Sequence, residues 1–270
     1  MYFPIGWPKY LTIPQDKQTK IKHIACHRDK IIFAVITEDS VAIWFSKPCV
    51  QILSYRRSFE SIELFGVNCS AEWKPDCSAL ATVTSKDNII FYMLDIDLSR
   101  SKFLYEQRDS KVASLKRETA ELFIRESIRP LSLTEALNVS INGGISRLTS
   151  VRDELVVTTR DGCLESLNWD GTLNYNYSFL LSTIPFSTDQ QHSRASAIDE
   201  IGVYVTDIEF CPILSGFSIV LSDGRAAFLS LEPDQFQGIW AQEVHDATCT
   251  AINHKYKLIA FGRKSKKKKK

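Results

Sequence analysis

The stretch that decides the fold runs Ala71-Glu72-Trp73-Lys74-Pro75-Asp76, then Ala79-Leu80-Ala81-Thr82-Val83, then Lys86-Asp87-Asn88, then Ile89-Ile90-Phe91-Tyr92. It reads as three short strands. The first ends in an aromatic residue with Pro two positions on, a strand end leading into a turn. The other two are apolar on both faces, the pattern of strands sandwiched between neighbouring sheets. The polar turn between them carries Asp and Asn, which tolerate positive φ and suit a tight hairpin.

The unit recurs. Ile31–Ile36 and Val41–Phe45 flank Glu38-Asp39-Ser40, and Leu155–Thr159 precedes Arg160-Asp161-Gly162 and Cys163-Leu164. Phe217–Leu221 precedes Ser222-Asp223-Gly224 and Arg225–Phe228, and Phe210-Cys211-Pro212 stands before that copy as Trp73–Asp76 stands before the second. The turn aspartates fall at 39, 87, 161 and 223, giving spacings of 48, 74 and 62. A four-stranded propeller blade takes about 40–45 residues. The first spacing fits one blade. The other two fit one blade plus an insertion, placed at about 95–140 and 172–200. A fifth copy begins at Thr248–Ile252 and continues through Tyr256–Gly262, where it runs into lysines. The expectation is an all-β chain: a WD-type β-propeller, incomplete, with four full blades and part of a fifth over residues 1–262. A β-sandwich is the rival, but its turn signals come about every 8–12 residues without the longer period. The first insertion, Ser110–Ile128, mixes charges with Val112, Leu115, Leu122 and Phe123 and suits a short helix or an irregular loop. The second, around Ser187–Ser193, is polar and suits an exposed loop.

Charge sharpens this reading. The formal net charge is +1, yet six lysines sit in Lys264–Lys270, so the body without them stands at −5. That excludes a generally basic nucleic-acid-binding domain, and no nucleic-acid partner is expected. Hydrophobic residues at 44% and charged ones at 24% mark a folded chain, not a disordered one. The lysine-rich tail, residues 263–270, has two functional readings, an anionic-lipid patch and a nuclear signal. Because it interrupts a repeat where the next strand is due, a truncated or mis-terminated reading frame is preferred, with the tail disordered or artefactual. The seven cysteines, at 26, 49, 69, 77, 163, 211 and 249, form no Cys-x-x-Cys pair, which suits reduced thiols in a cytosolic protein. Asn68, Asn138 and Asn176 begin Asn-x-Ser sequons, but Met1-Tyr2-Phe3-Pro4 does not open a signal peptide, so these are read as chance. No apolar run reaches the roughly 18 residues of a membrane-spanning helix, so any membrane attachment is expected to be peripheral.

Catalytic motifs are absent from the sequence. Gly143-Gly144 has no following Lys-Ser or Lys-Thr and is not a phosphate loop, and neither Gly-x-Ser-x-Gly nor His-Glu-x-x-His occurs. The histidines at 23, 27, 192, 245 and 254 are spread across repeats. Cys26 and His27 are adjacent and on a strand point to opposite faces, which suits packing or surface roles over joint ligation. Asp95 and Asp97 would share a strand face but stand beside a loop and read as solvated charge. Trp44, Trp73 and Trp169 read as inter-blade packing and Trp7 and Trp240 as partly exposed, while His245-Asp246 and Trp169-Asp170 read as structural hydrogen-bonding pairs. No catalytic, cofactor-binding or metal residues are assigned, no cofactor is expected, and partner-binding positions are left unassigned.

A set of short segments in shared order adds a resemblance. They are Met1-Tyr2-Phe3, Gly6-Trp7-Pro8-Lys9, Phe33-Ala34-Val35, Ala71-Glu72-Trp73 with Pro75-Asp76, Leu104-Tyr105-Glu106, Pro185-Phe186-Ser187, Gly216-Phe217 with Asp223-Gly224, Gly238 with Trp240, and Ala260-Phe261-Gly262. Together they resemble the N-terminal part of the large (Ric) subunit of the Ric–Rgp guanine-nucleotide exchange complex. The likeness weakens over 107–140 and ends after Gly262. It implies a WD-repeat propeller portion of an exchange-factor subunit, not itself an enzyme with a catalytic constellation. It implies a smaller partner subunit, a Rab-family GTPase of the Golgi, support of retrograde endosome-to-Golgi transport, and a place in the cytosol and peripherally on the Golgi membrane. It carries no exchange residue onto any position here. Two other readings stand beside it: a generic WD-repeat adaptor in another complex, and a propeller enzyme whose polar residues converge on a central channel.

Overall fold

Runs apolar on both faces must be covered on both faces, and the structure shows how. In the computed structural model, the described residues are 20–28, 30–46, 49–96, 105–108, 112–115, 131–187, 202–232 and 235–264. Trp7, Asp97, His192 and the lysines from 266 onward lie outside them, as do the middle of the first insertion and residues 188–193 of the second.

Blade 1 is β1 (Ile21–Cys26), β2 (Ile32–Thr37), β3 (Ser40–Ser46) and β4 (Cys49–Arg56), paired in that order. A short helix, α1 (Phe59–Phe65), links it to blade 2, which begins with β5 (Asn68–Trp73), β6 (Ala79–Thr84) and β7 (Asn88–Ile96). A separate hairpin follows, β8 (Tyr105–Arg108) with β9 (Val112–Leu115), and then β10 (Leu131–Ser140) returns to pair with β7 and complete the blade. Blade 3 is β11 (Ile145–Val151), β12 (Glu154–Thr159), β13 (Cys163–Asn168) and β14 (Leu173–Leu180). A two-residue strand, β15 (Phe186–Ser187), precedes blade 4, which is β16 (Val205–Cys211), β17 (Gly216–Leu221), β18 (Ala226–Glu232) and β19 (Gln235–Trp240). β15 runs parallel along the outer edge of β19. Blade 5 has two strands among the described residues, β20 (Ala247–Asn253) and β21 (Leu258–Arg263). Four full blades and part of a fifth match the reading of the repeats.

The core lies between blades. Ile36, Ile43 and Phe45 of blade 1 pack with Trp73, Leu80 and Tyr92 of blade 2. Ile89 and Phe91 meet Leu155, Val157 and Trp169 of blade 3. Val156 and Leu164 meet Phe217, Ile219 and Leu229 of blade 4. Every residue of β6 and β17 is buried, as strands flanked by two sheets require. Burying a Val, Leu, Ile or Phe side chain contributes roughly 1.5–3 kcal/mol, so each of these joints is a substantial fraction of the total stability. Trp73 and Trp169 bridge blades as expected. Trp44 instead stacks on Phe33 of its own blade, with Val35 and Ala42.

Two expectations are corrected. The insertions are narrower than 95–140 and 172–200, because β10 and β14 are blade strands. Both are outer strands with one wet face: β10 buries Leu131 and Leu133 while exposing Ser132 and Thr134, so its polar half reads as loop. The turn aspartates are also not equivalent. Three-residue turns follow β6 and β12, and in each the third residue has positive φ and donates its N–H back three positions: Asp87 to the Thr84 carbonyl and Gly162 to that of Thr159. Gly224 does the same to Leu221. Asp87 therefore matches Gly162 and Gly224, not Asp161 and Asp223. In blade 1 the turn has only two residues, Glu38 and Asp39.

Candidate functional site at the mouth of the central channel

Five inner strands pack side by side in sequence: β1 on β5, β5 on β11, β11 on β16 and β16 on β20. Each carries a β-bulge at the same place. Register slips by one residue at Lys22, Cys69, Ser146, Thr206 and Thr248. A bulge leaves a partner carbonyl under-used. In blades 3, 4 and 5 the bulged hydroxyl fills that need: Ser146 donates to the Thr158 carbonyl, Thr206 to that of Val220 and Thr248 to that of Gly262.

The bulge aims the residues after it at the neighbouring inner strand. Edge strands have N–H groups facing the channel, and these need acceptors. The side chain just after the bulge, or two positions further on, supplies them. His23 Nδ1 accepts from the Ala71 N–H at 3.2 Å. Glu72 Oε1 accepts from the Ser150 N–H at 3.3 Å and from its hydroxyl at 2.8 Å. Asp207 Oδ2 accepts from the Thr250 N–H, and Glu209 Oε2 from the Ile252 N–H, both at 2.8 Å. Blade 3 has Arg147 at the first of these positions. It reverses the polarity, donating to the Thr206 carbonyl and pairing with Asp207 at 3.3 Å.

Where these strands end, a cavity of about 620 Å³ opens, lined by residues of all five blades. Its walls include the carboxylates Glu72 and Glu209, the imidazoles His27 and His254, and the cations Arg28 and Arg152. Burial, reinforced by the charge of Glu209, pushes the Glu72 carboxyl up to about 7 against the pull of its Ser150 bonds. Burial raises Glu209 as well, and His254 Nε2 lies 4.0 Å from it. Burial lowers His23, and the nearby Arg147 adds to the effect. Both signs of charge thus stand in a wall that also carries Trp73, Phe210 and Ile252. No group of three or more His, Cys, Asp or Glu among the described residues is placed to hold a metal ion.

The histidines that look scattered in the sequence thus partly converge. His23, His27 and His254 gather at the channel, while His245 sits at the link into blade 5, its carbonyl against Gly224. Asp170 closes a local turn, accepting from Thr172 N–H and hydroxyl. Gly143 and Gly144 pack against the blade 3 turn at Asp161 and Arg160, which explains the pair without a phosphate. Glu72 and Glu209 were not nominated from the sequence. Their signal, a glutamate directly before an aromatic residue near the end of an inner strand, becomes readable only once the strand is known to line a channel.

A human protein is 34% identical over 269 residues, 97% of this chain, and a mouse protein is 36% identical over 271 residues. Both are named guanine nucleotide exchange factor subunit RIC1. The chain is similar to part of RIC1. A Caenorhabditis elegans protein named guanine nucleotide exchange factor subunit R06F6.8 is 32% identical over 277 residues, 98% of the chain. The chain spans about a fifth of the length of the RIC1 proteins it matches, 19% in the human case. The Ric resemblance read from the sequence is thereby shown. No protein-family profile matches. Among solved structures, the Cps50 (Swd1) β-propeller domain of Myceliophteria thermophila superposes with a TM-score of 0.55 at 9% identity, covering 92% of this chain and 64% of that one. Kluyveromyces lactis Hsv2 gives 0.52 at 12% identity, covering 90% and 57%. These two show the propeller fold shared with the RIC1-like chain, and only the fold.

Proposed function

We propose that this chain is the propeller scaffold of a guanine-nucleotide exchange factor subunit. It acts with a smaller partner subunit on a Rab-family GTPase of the Golgi and supports retrograde endosome-to-Golgi transport. The observation that carries the reading is the 34–36% identity to RIC1 across 97% of the chain. Exchange itself needs no covalent chemistry. A factor that binds the nucleotide-free GTPase more tightly than the loaded form weakens nucleotide binding by the same factor. A rigid scaffold held by inter-blade cores and the channel ladder is suited to that work. Membrane association in this reading is peripheral and comes through the complex, from the cytosol. No helix among the described residues is long and apolar enough to cross a bilayer.

The test is a pull-down of the chain, lysine tail removed, with the smaller subunit and with the nucleotide-free Rab. Retention of either supports the reading. Retention of neither by a chain shown to be folded overturns it for this portion of the protein.

A further inference from the structure

The linking helix α1 is seven residues long, and none of its side chains is fully buried. An isolated helix shorter than about 12–15 residues is marginal in water, so this one is held by its surroundings. Ser58 caps its start, accepting from the Ser61 N–H at 3.1 Å, and the Gly66 N–H closes its last turn on the Ile62 carbonyl at 2.8 Å. Arg57, only 3% exposed, donates to the Ser61 and Gly66 carbonyls and to Asn68 of β5. Lys86, in the turn after β6, donates to the Glu63 carbonyl. Phe65 rests, partly buried, on the core between blades 1 and 2. The opposite face of the helix is a single outward stripe. At about 3.6 residues per turn, positions 59, 63, 60 and 64 fall side by side and cover about 140° of the helix surface. They are Phe59, Glu63, Glu60 and Leu64, all exposed, Phe59 to 80% and Leu64 to 67%. The two carboxylates stand between the apolar side chains and form no ion pair with any other described residue. Single exposed apolar side chains are ordinary. Here two large ones share a stripe that a buried cation and two caps already hold in order, so the entropy of ordering is settled before any partner arrives.

We propose that this stripe of α1 is a docking surface for a partner protein that offers an apolar cleft edged by Lys or Arg. Phe59 and Leu64 enter the cleft, and Glu60 and Glu63 meet its basic edge, the mode in which a helix lies in a groove. The occupant is a lasting partner. A transient one would return Phe59 and Leu64 to water at every cycle, and lasting interfaces are the more apolar kind. Within the function proposed above, on which this assignment rests, that occupant is the smaller subunit and not the GTPase.

The experiment measures binding of the smaller subunit and of the nucleotide-free Rab to the full chain and to two variants. One combines Phe59→Ala with Leu64→Ala, the other Glu60→Gln with Glu63→Gln. The expected result is a loss of about tenfold or more in subunit affinity for the alanine variant, with Rab binding unchanged. Raising salt from about 0.05 to about 0.5 M should weaken subunit binding to the unaltered chain, and weaken it less in the glutamine variant. None of the four side chains is buried, so both variants should melt as the unaltered chain does. Unchanged subunit affinity in the alanine variant overturns the proposal. So does a lowered melting temperature there, which would make the stripe part of the fold. An unaltered chain that retains neither protein sinks the exchange-factor reading for this portion and the docking surface with it. One that retains only the Rab sinks the docking surface alone.

Discussion

Glu72 of blade 2 takes two hydrogen bonds from a single residue of blade 3, Ser150, through its backbone N–H and its hydroxyl. The carboxyl making these bonds is pushed up to about 7 from its ordinary 4.5, burial being the main cause. A raised carboxyl means that folding favours the protonated form. Its stabilisation is fully present below pH 4.5 and is lost as pH rises through about 7. The melting temperature should therefore fall between pH 6 and pH 8. Glu72→Gln should flatten that fall and gain about 2 kcal/mol over the unaltered chain at pH 8. Parallel pH profiles for the two proteins would show that another group is responsible.

Asp207 serves both of its neighbours, accepting the Thr250 N–H of blade 5 and pairing with Arg147 of blade 3. Asp207→Ala leaves a channel-side N–H without its acceptor, a loss of about 1–3 kcal/mol. Urea titration should show the lower midpoint. Limited proteolysis should reach β20 and β21 sooner than in the parent, and unchanged cleavage there would remove blade 5 from the account.

Two glycines with φ of 87° separate backbone preference from crowding. A Cβ on Gly202 would meet nothing within 4 Å, whereas one on Gly224 would run into the His245 carbonyl, which belongs to backbone and cannot swing aside. Gly202→Ala should cost about 1 kcal/mol for its conformation alone, and Gly224→Ala at least twice that. Equal losses in thermal melts would mean that the link into blade 5 yields freely.

Arg57 is buried, and no carboxylate among the described residues forms an ion pair with it. It spends its donors on the Ser61 and Gly66 carbonyls at 2.7 Å, on Asn68 and on the Ser61 hydroxyl, so it ties the first turn of α1 to its C-terminal cap and to β5. Arg57→Lys keeps the charge but cannot reproduce this fan of donors. It should destabilise by about 2 kcal/mol or more, with a matching fall in melting temperature. Lysine performing as well as arginine would show that charge, not the fan of donors, is what counts.

The hairpins of blades 1 to 4 were legible because both faces of each strand are buried, so apolar runs and Asp-bearing turns stand out together. The outer strands were not. Tyr175 and Asn176 in β14 face outward, and a strand with a wet face and a turn-like composition reads as loop. Alignment on aspartate misplaced the second turn by one residue, because Asp87 itself adopts the positive φ that Gly162 and Gly224 take elsewhere. At the channel, the partners Cys77 and His27 stand fifty residues apart. Only the stacking of blade on blade brings them together, and no local pattern encodes that distance.

The bulged residues fall at 22, 69, 146, 206 and 248, intervals as unequal as 77 and 42, yet each makes the same one-residue slip. All variation in length is therefore carried by the rim, and none reaches the axis. Such a molecule can acquire or lose material at its circumference without re-registering its hub. A reporter domain spliced between β7 and β10 should leave the melting of the rest untouched, which makes that rim position the natural handle for following the protein at work.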